Sequence, residues 1–307
     1  MQKMLLFALA LAMAAGFTAC RNQPTETTET TMRMQSDYPP PPVAAVQSKT
    51  FNEHGYERTD NYYWLKDKTN PDVIAYLEAE NAYGDTVMAH TKDLQETLFN
   101  ELKGRIKEED TSVPYFDNGY FYYSRTETGK QYRIYCRKKG SQDAPEEIIL
   151  DENKEAEGQQ AFVLAGYEIS PDNRIMAYAS NYTGSYVEFT LRFRDLTTGK
   201  DLPDVIENAG GGAWANDNTT VFYTRPNAAL RTDKVFKHKL GSKAKDQLIF
   251  EEKDELFSLD VSQSKSGEYI FLTSGSFTST EYHLLPASQP DGQFQVFAPR
   301  AKDVEYY

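Results

Sequence analysis

A mainly β fold is predicted by this sequence: about four blades of an incomplete β-propeller, preceded by an N-terminal helical segment. Three observations predict it. After Pro114, short aromatic and β-branched runs alternate with turn residues, among them "GYFYYSR", "YRIYCRK", "VEFTLRFRDL" and "TVFYTR", and helical periodicity is lost. One strand type recurs, opening on an apolar-aromatic quartet at Tyr120, Ile175, Val221 and Tyr269. Each copy follows a polar turn, "FDNG", "SPDNR", "ANDNT" or "SKSGE", whose Asp-Asn and Ser-Gly pairs suit reversal between paired strands. A four-stranded unit returning every ~40–50 residues is the pattern of stacked propeller blades, since no single blade buries its own faces. The competing reading is a sandwich with coincidental spacing.

Residues 1–20 have the pattern of a lipoprotein-type signal. Lys3 supplies the positive charge, and Met4 to Ala15 form an apolar run too short to span a bilayer. The ending Phe17-Thr18-Ala19-Cys20 resembles a bacterial lipobox, which makes Cys20 the lipidated mature N-terminus. Phe17 stands where Leu is usual, so ordinary signal cleavage is the alternative. Residues 21–50 are expected to be a disordered tether, rich in Thr, Glu and Pro and including Pro39-Pro40-Pro41-Pro42. Together they place the folded part in a bacterial cell envelope, lipid-anchored to a membrane and either periplasmic or surface-facing.

Residues 51–110 form the helical segment. Asn70-Pro71 gives a polar cap with proline at the first helical position. Val73, Ile74, Leu77 and Asn81 then share one side, and Leu94, Leu98, Leu102 and Ile106 make a second stripe. Both faces need a packing surface. Residues 111–307 are the partial propeller; at ~48 residues per blade they hold about four blades. The chain stops at "PRAKDVEYY" in a segment patterned like a strand, so a truncated propeller that folds poorly alone is expected.

The formal net charge of −13 argues against a nucleic-acid partner, which needs a basic surface. No Gly-x-Ser occurs, so there is no nucleophile elbow to present a serine to a base, and no His-Glu-x-x-His occurs either. His54, His90, His238 and His283 lack metal-ligand spacing, and no metal or cofactor is expected. Gly210-Gly211-Gly212 lacks the Lys-Ser/Thr of a phosphate loop and is taken as a flexible approach to the Trp214 strand. Glu251-Glu252 and Glu108-Glu109-Asp110 are taken as solvated turns, and Cys136 as a half-buried strand thiol rather than a nucleophile. No catalytic residue is assigned.

Specific words in the chain carry a resemblance. "DNYYWLKD", "VIAYLEAENAY", "RIKEEDTSVPY", "GKQYRIYCRKKG", "ILDENKEAEG", "ISPDNRIMAYA", "RDLTTGKDL", "WANDNTTVFYT" and "DKVFKHKLG" with "DQLIFEEKDELF" occur in that order. They resemble the N-terminal half of oligopeptidase B, in the prolyl oligopeptidase family of serine peptidases. The resemblance implies a nominally seven-bladed propeller that restricts entry to an α/β-hydrolase domain carrying Ser, Asp and His, absent from this chain. It implies that the N-terminal helices pack largely on that domain. It also implies hydrolysis of short peptides after Arg or Lys, a preference set mainly in the catalytic half. The 307-residue chain alone is therefore expected to be inactive. A reading of a different class is a stand-alone anchored propeller that binds peptides or proteins without catalysis.

Overall fold

The computed structural model describes residues 38–306. The chain divides into two compact units, one ending at Arg105 and the other starting at Ile106.

The first unit opens with an antiparallel hairpin of β1 (Lys49–Glu53) and β2 (Tyr56–Asp60). His54 and Gly55 turn it with φ of 53° and 82°, the left-handed pair that matches strand twist in a two-residue loop. The hairpin starts inside the span read from sequence as tether. Two helices follow, α1 (Pro71–Met88) and α2 (Lys92–Gly104). The Asn70 side chain accepts from the Asp72 amide at 2.9 Å and Pro71 takes the first turn, as its missing N–H allows. Val73 is buried, whereas Leu94, Leu98 and Leu102 on α2 are exposed, and Ile106 lies beyond the helix end.

The second unit is four consecutive four-stranded antiparallel meanders. Blade 1 holds β3 (Tyr115–Asp117), β4 (Tyr120–Arg125), β5 (Ile134–Lys139) and β6 (Glu146–Asp151). A single helical turn, α3 (Glu152–Glu155), leads out of it. Blade 2 holds β7 (Val163–Ile169), β8 (Ile175–Asn181), β9 (Thr190–Asp195) and β10 (Lys200–Glu207). Blade 3 is β11 (Gly212–Trp214), β12 (Thr220–Pro226), β13 (Thr232–Lys239) and β14 (Gln247–Glu251). Blade 4 is β15 (Ser258–Gln263), β16 (Tyr269–Gly275), β17 (Thr280–Pro286) and β18 (Gln295–Ala298). All four recurring quartets fall on the second strand of a blade. The strand order is sequential in every sheet, without the Greek-key crossings of a sandwich. This is the expected propeller arrangement.

Alternation along the strands sends successive side chains to opposite blade faces, so each blade feeds two interfaces. Tyr120, Tyr122 and Leu150 of blade 1 meet Met176 and Tyr178 of blade 2. Ala177, Leu191 and Phe193 of blade 2 meet Trp214, Val221 and Tyr223 of blade 3. Phe222 and Val235 of blade 3 meet Leu259, Val261, Ile270 and Leu272 of blade 4. Blade 4 keeps an aromatic face on its far side, where Phe271 contacts Tyr282 and Phe297, and Phe297 is 67% exposed.

The turns between first and second strands are also bonded from blade to blade. Asn118 donates to the Pro171 carbonyl at 2.7 Å, the Asp172 amide to Asn218 Oδ1 at 2.8 Å, and Asn216 to the Gly267 carbonyl at 2.9 Å. Asn118, Asn173 and Asn218 have φ of 39°, 63° and 60°, a region that Asn enters more readily than most residues because its short amide bonds locally.

Within blade 3, Gly212 is a close approach rather than the flexible lead expected for the glycine run. A Cβ there would sit 2.6 Å from the Phe222 carbonyl oxygen, while nothing lies within 4 Å of one at Gly211. Gly212→Ala is expected to cost about 1–3 kcal/mol through overpacking. Gly211→Ala is expected to leave the urea midpoint nearly unchanged, which makes it the matched control.

Candidate functional site

First strands approach one another across blades: β11 packs beside both β7 and β15. They form the inner wall of the unit. Three acids sit on them, Asp117 on β3, Glu168 on β7 and Asp260 on β15. Strand alternation explains their orientation. Tyr167 and Ile169 flank Glu168 and pack into the interface of blades 1 and 2, and Leu259 and Val261 flank Asp260 and pack toward blade 3. Blade 3 places Gly211 and Gly212 at the wall, which leaves a cleft of about 240 Å³ bordered by Glu168, Gly212, Asp260 and Ser262.

Desolvation in this wall pushes the Glu168 carboxyl up to about 7, and the charges of Asp117 and Asp260 push the same way. Glu168 and Asp260 both have exposed surface in the cleft, and it is the protein crowded around them, rather than full burial, that raises Asp260 as well above the ordinary carboxylate range. The acids are therefore electrostatically coupled across blades, and a cation entering the cleft would relieve their repulsion. The chemistry available here is attraction of positive charge. Ser262 borders the cleft, but no histidine lines it to activate that hydroxyl.

The remaining chemistry-bearing residues serve the scaffold. Cys136 on β5 is fully buried, more than the half-buried thiol expected, and burial pushes its pKa up to about 12, so it carries no thiolate at neutral pH. His54 lies in the first hairpin turn, His90 Nδ1 lies 3.0 Å from the Val87 carbonyl, and His283 Nε2 lies 2.8 Å from Glu281. Among the described residues no Ser hydroxyl or Cys thiol hydrogen-bonds a histidine, and no group of His, Cys, Asp and Glu is arranged to hold a metal. Cys20, with the proposed signal and most of the tether, lies outside the described residues.

Two arrangements were missed in the sequence. His238 on β13 bridges blades, with Nδ1 2.8 Å from Asp246 and Nε2 3.1 Å from Asp204 of blade 2. Its ring stacks on Phe193 at 5.6 Å. Glu252, taken as solvated, is buried: it accepts from Ser274 Oγ at 2.7 Å, from the Asp254 amide at 2.9 Å, and from Arg300. Burial opposes its ionisation, but these donors outweigh burial and hold the carboxyl below its ordinary range.

Comparison with known proteins gives this scaffold its place. Residues 41–307 match the family model for the N-terminal β-propeller domain of prolyl oligopeptidase. The chain belongs to the prolyl oligopeptidase family. It is 38% identical over 299 residues to dipeptidyl aminopeptidase BI of Pseudoxanthomonas mexicana, a match covering 91% of this chain and 41% of that protein. It is 36% identical to protease 2 of Moraxella lacunata, covering 86% and 40%. Among solved structures, oligopeptidase B from Leishmania major superposes with a TM-score of 0.79 at 27% identity, covering 87% of this chain and 41% of that one. Oligopeptidase B from Trypanosoma brucei with covalently bound antipain gives 0.77 at 29%, covering 87% and 40%. The chain thus spans about two fifths of the length of these prolyl oligopeptidase relatives. What it shares with them is the propeller, with no α/β-hydrolase fold among the described residues.

Proposed function

We propose that this chain is the propeller part of an envelope-anchored serine oligopeptidase that hydrolyses short peptides, with cleavage after Arg or Lys favoured. The carrying observation is the family match over residues 41–307, to a domain that is N-terminal in proteins more than twice as long. In this reading a Ser-Asp-His hydrolase domain follows in the same protein, and the blades act as a size filter over it. Residues 1–20 direct export, Cys20 carries the lipid, the chain from residue 21 up to the start of β1 at Lys49 forms the tether, the hairpin and helices follow up to residue 110, and 111–307 form the blades.

The acids of the inner wall support a preference for cationic peptides. Glu168 sets a pH dependence whose sign follows from its raised pKa. Below about 7 it is mostly protonated and contributes little attraction; above about 7 it is charged. Binding of a short arginine-containing peptide is expected to strengthen as pH rises through that value, and Glu168→Gln is expected to flatten the profile. Titration calorimetry at several pH values checks this.

The size filter is tested with the longer gene product. It should cleave a short arginyl peptide and spare the same sequence embedded in a folded protein. Equal cleavage of both would remove the filter, and cleavage of neither, with the triad present, would remove the oligopeptidase assignment.

A further inference from the structure

Away from the inner wall, the first three blades share a tyrosine, an acid and an arginine. In blade 1, Tyr123 donates to Glu146, and Arg125, two residues along the same strand, pairs with that carboxylate at 3.0 Å and with Glu127. In blade 2, Tyr178 donates to one oxygen of Asp201 and Arg194 to the other at 2.7 Å. Arg194 also pairs with Glu155 at 2.8 Å.

Blade 3 has the tyrosine and the acid, Tyr223 and Asp246, but its arginine is left over. His238 stands at the register position of Arg194, two residues beyond the third-strand partner of the tyrosine. Its Nδ1 lies 2.8 Å from the Asp246 oxygen that Tyr223 does not use. Arg225 stands two residues after the tyrosine, as Arg125 does in blade 1. Among the described residues it forms no ion pair, its one side-chain hydrogen bond goes to Tyr223 Oη at 3.2 Å, and its Nε is buried without a partner. The chain brings no second carboxylate to it. The helical turn α3 carries Glu155 to Arg194, whereas after β10 residues 208–211 run straight into β11.

A partly buried guanidinium without a counter-charge is costly, because nothing offsets its desolvation. This one is held in place, its centre 4.9 Å from the Phe236 ring and 5.6 Å from the Tyr223 ring. It lines a cleft of about 720 Å³ between β10 and the β13–β14 connection, within the roughly 300–1,000 Å³ span of small-molecule sites. Val205 and Ile206 make one side of the cleft apolar, and Asn208 and the exposed Lys245 add donors. Of the acids there, Asp246 has both oxygens engaged and Glu207 is exposed.

We propose that the cleft between blades 2 and 3 is a carboxylate-binding site, in which a ligand gives Arg225 the counter-charge that Glu146 gives Arg125 and Asp201 gives Arg194. The carboxylate comes from a peptide terminus or an acidic side chain, with Lys245 as a second cation and the Val205 side receiving the apolar part of the ligand. The site is separate from the acidic cleft of the inner wall and takes ligands of the opposite charge.

Titration calorimetry on the protein expressed from the whole gene tests this with three probes. They are acetylated dialanine with a free C-terminus, an acetylated and amidated tripeptide with a central aspartate, and acetylated dialanine amide as the uncharged control. At least one acid is expected to bind about tenfold or more tightly than the amide, the worth of a charge-assisted hydrogen bond, and the tighter acid identifies the source. Arg225→Gln is expected to abolish that preference. Lys245→Gln, at an exposed position that leaves folding intact, is expected to weaken acid binding about threefold and to reduce its dependence on salt. Equal affinity for acids and amide overturns the proposal, and so does a preference that survives Arg225→Gln. Should Arg225→Gln fail to fold, Lys245→Gln decides: acid binding unchanged by it overturns the site.

Discussion

Trp214→Ala is expected to lose about 3–5 kcal/mol, the range for truncating a fully buried large aromatic. Trp214 is 1% exposed and joins two blades. Its ring meets Phe193 edge-on at 6.0 Å, and its Nε1 donates to the Glu168 carbonyl at 3.2 Å. Truncation therefore opens a cavity at the interface of blades 2 and 3 and leaves a carbonyl beside the inner wall without its donor. Urea unfolding followed by circular dichroism measures the loss. Tyr186→Ala, on an exposed loop of the same unit, is the control and should change stability by no more than about 0.5 kcal/mol. Equal effects from the two substitutions would mean that the blades do not pack through Trp214.

Arg300→Ala is the second large effect. Arg300 donates to Glu252 and to Ser274 Oγ at 3.1 Å, and its guanidinium lies 3.6 Å from the Phe257 ring centre. Removing it leaves a carboxylate whose side chain is 8% exposed without its charge partner. Breaking a fully buried pair costs about 3–5 kcal/mol, and the partial exposure of Arg300 reduces the expectation to about 2–3 kcal/mol. The pH dependence has a definite sign. Glu252 is held below its ordinary range in the folded protein, so it contributes stability above the unfolded carboxylate pKa. That contribution disappears as pH falls through the folded value, so the gap between parent and variant should narrow below about pH 4. Glu252→Gln added to Arg300→Ala should recover part of the loss near neutral pH, because the stranded charge is gone.

The second strands were legible in the sequence because each opens on a dense apolar quartet that contributes buried side chains. First strands were not. β3 and β11 each span three residues, and the second reads as the end of a glycine-rich loop. Its strand character comes from the approach of Gly212 to the Phe222 carbonyl, a contact across the sheet. The β1–β2 hairpin escaped because its strands are largely exposed and lack apolar alternation. Glu252 was misread because its burial is decided by Arg300, 48 residues further along the chain. One repeat signal was present and unused. Tyr123 bonds Glu146, Tyr178 bonds Asp201 and Tyr223 bonds Asp246, each pair separated by 23 residues. Blade 4 has Leu272 and Gln295 at the corresponding positions, so the device stops there. The acidic wall was invisible for a different reason. Asp117, Glu168 and Asp260 are scattered along the chain and become one field only when first strands gather around an axis.

On the proposed reading, these blades guard a reaction whose residues are encoded elsewhere in the protein. Hydrolysis of a short arginyl peptide amide by the purified 307-residue chain and by the longer gene product, each with and without a serine-directed phosphonate, tests it most directly. No turnover by the 307-residue chain and phosphonate-sensitive turnover by the longer product are expected. Phosphonate-sensitive hydrolysis by the 307-residue chain itself would contradict that reading.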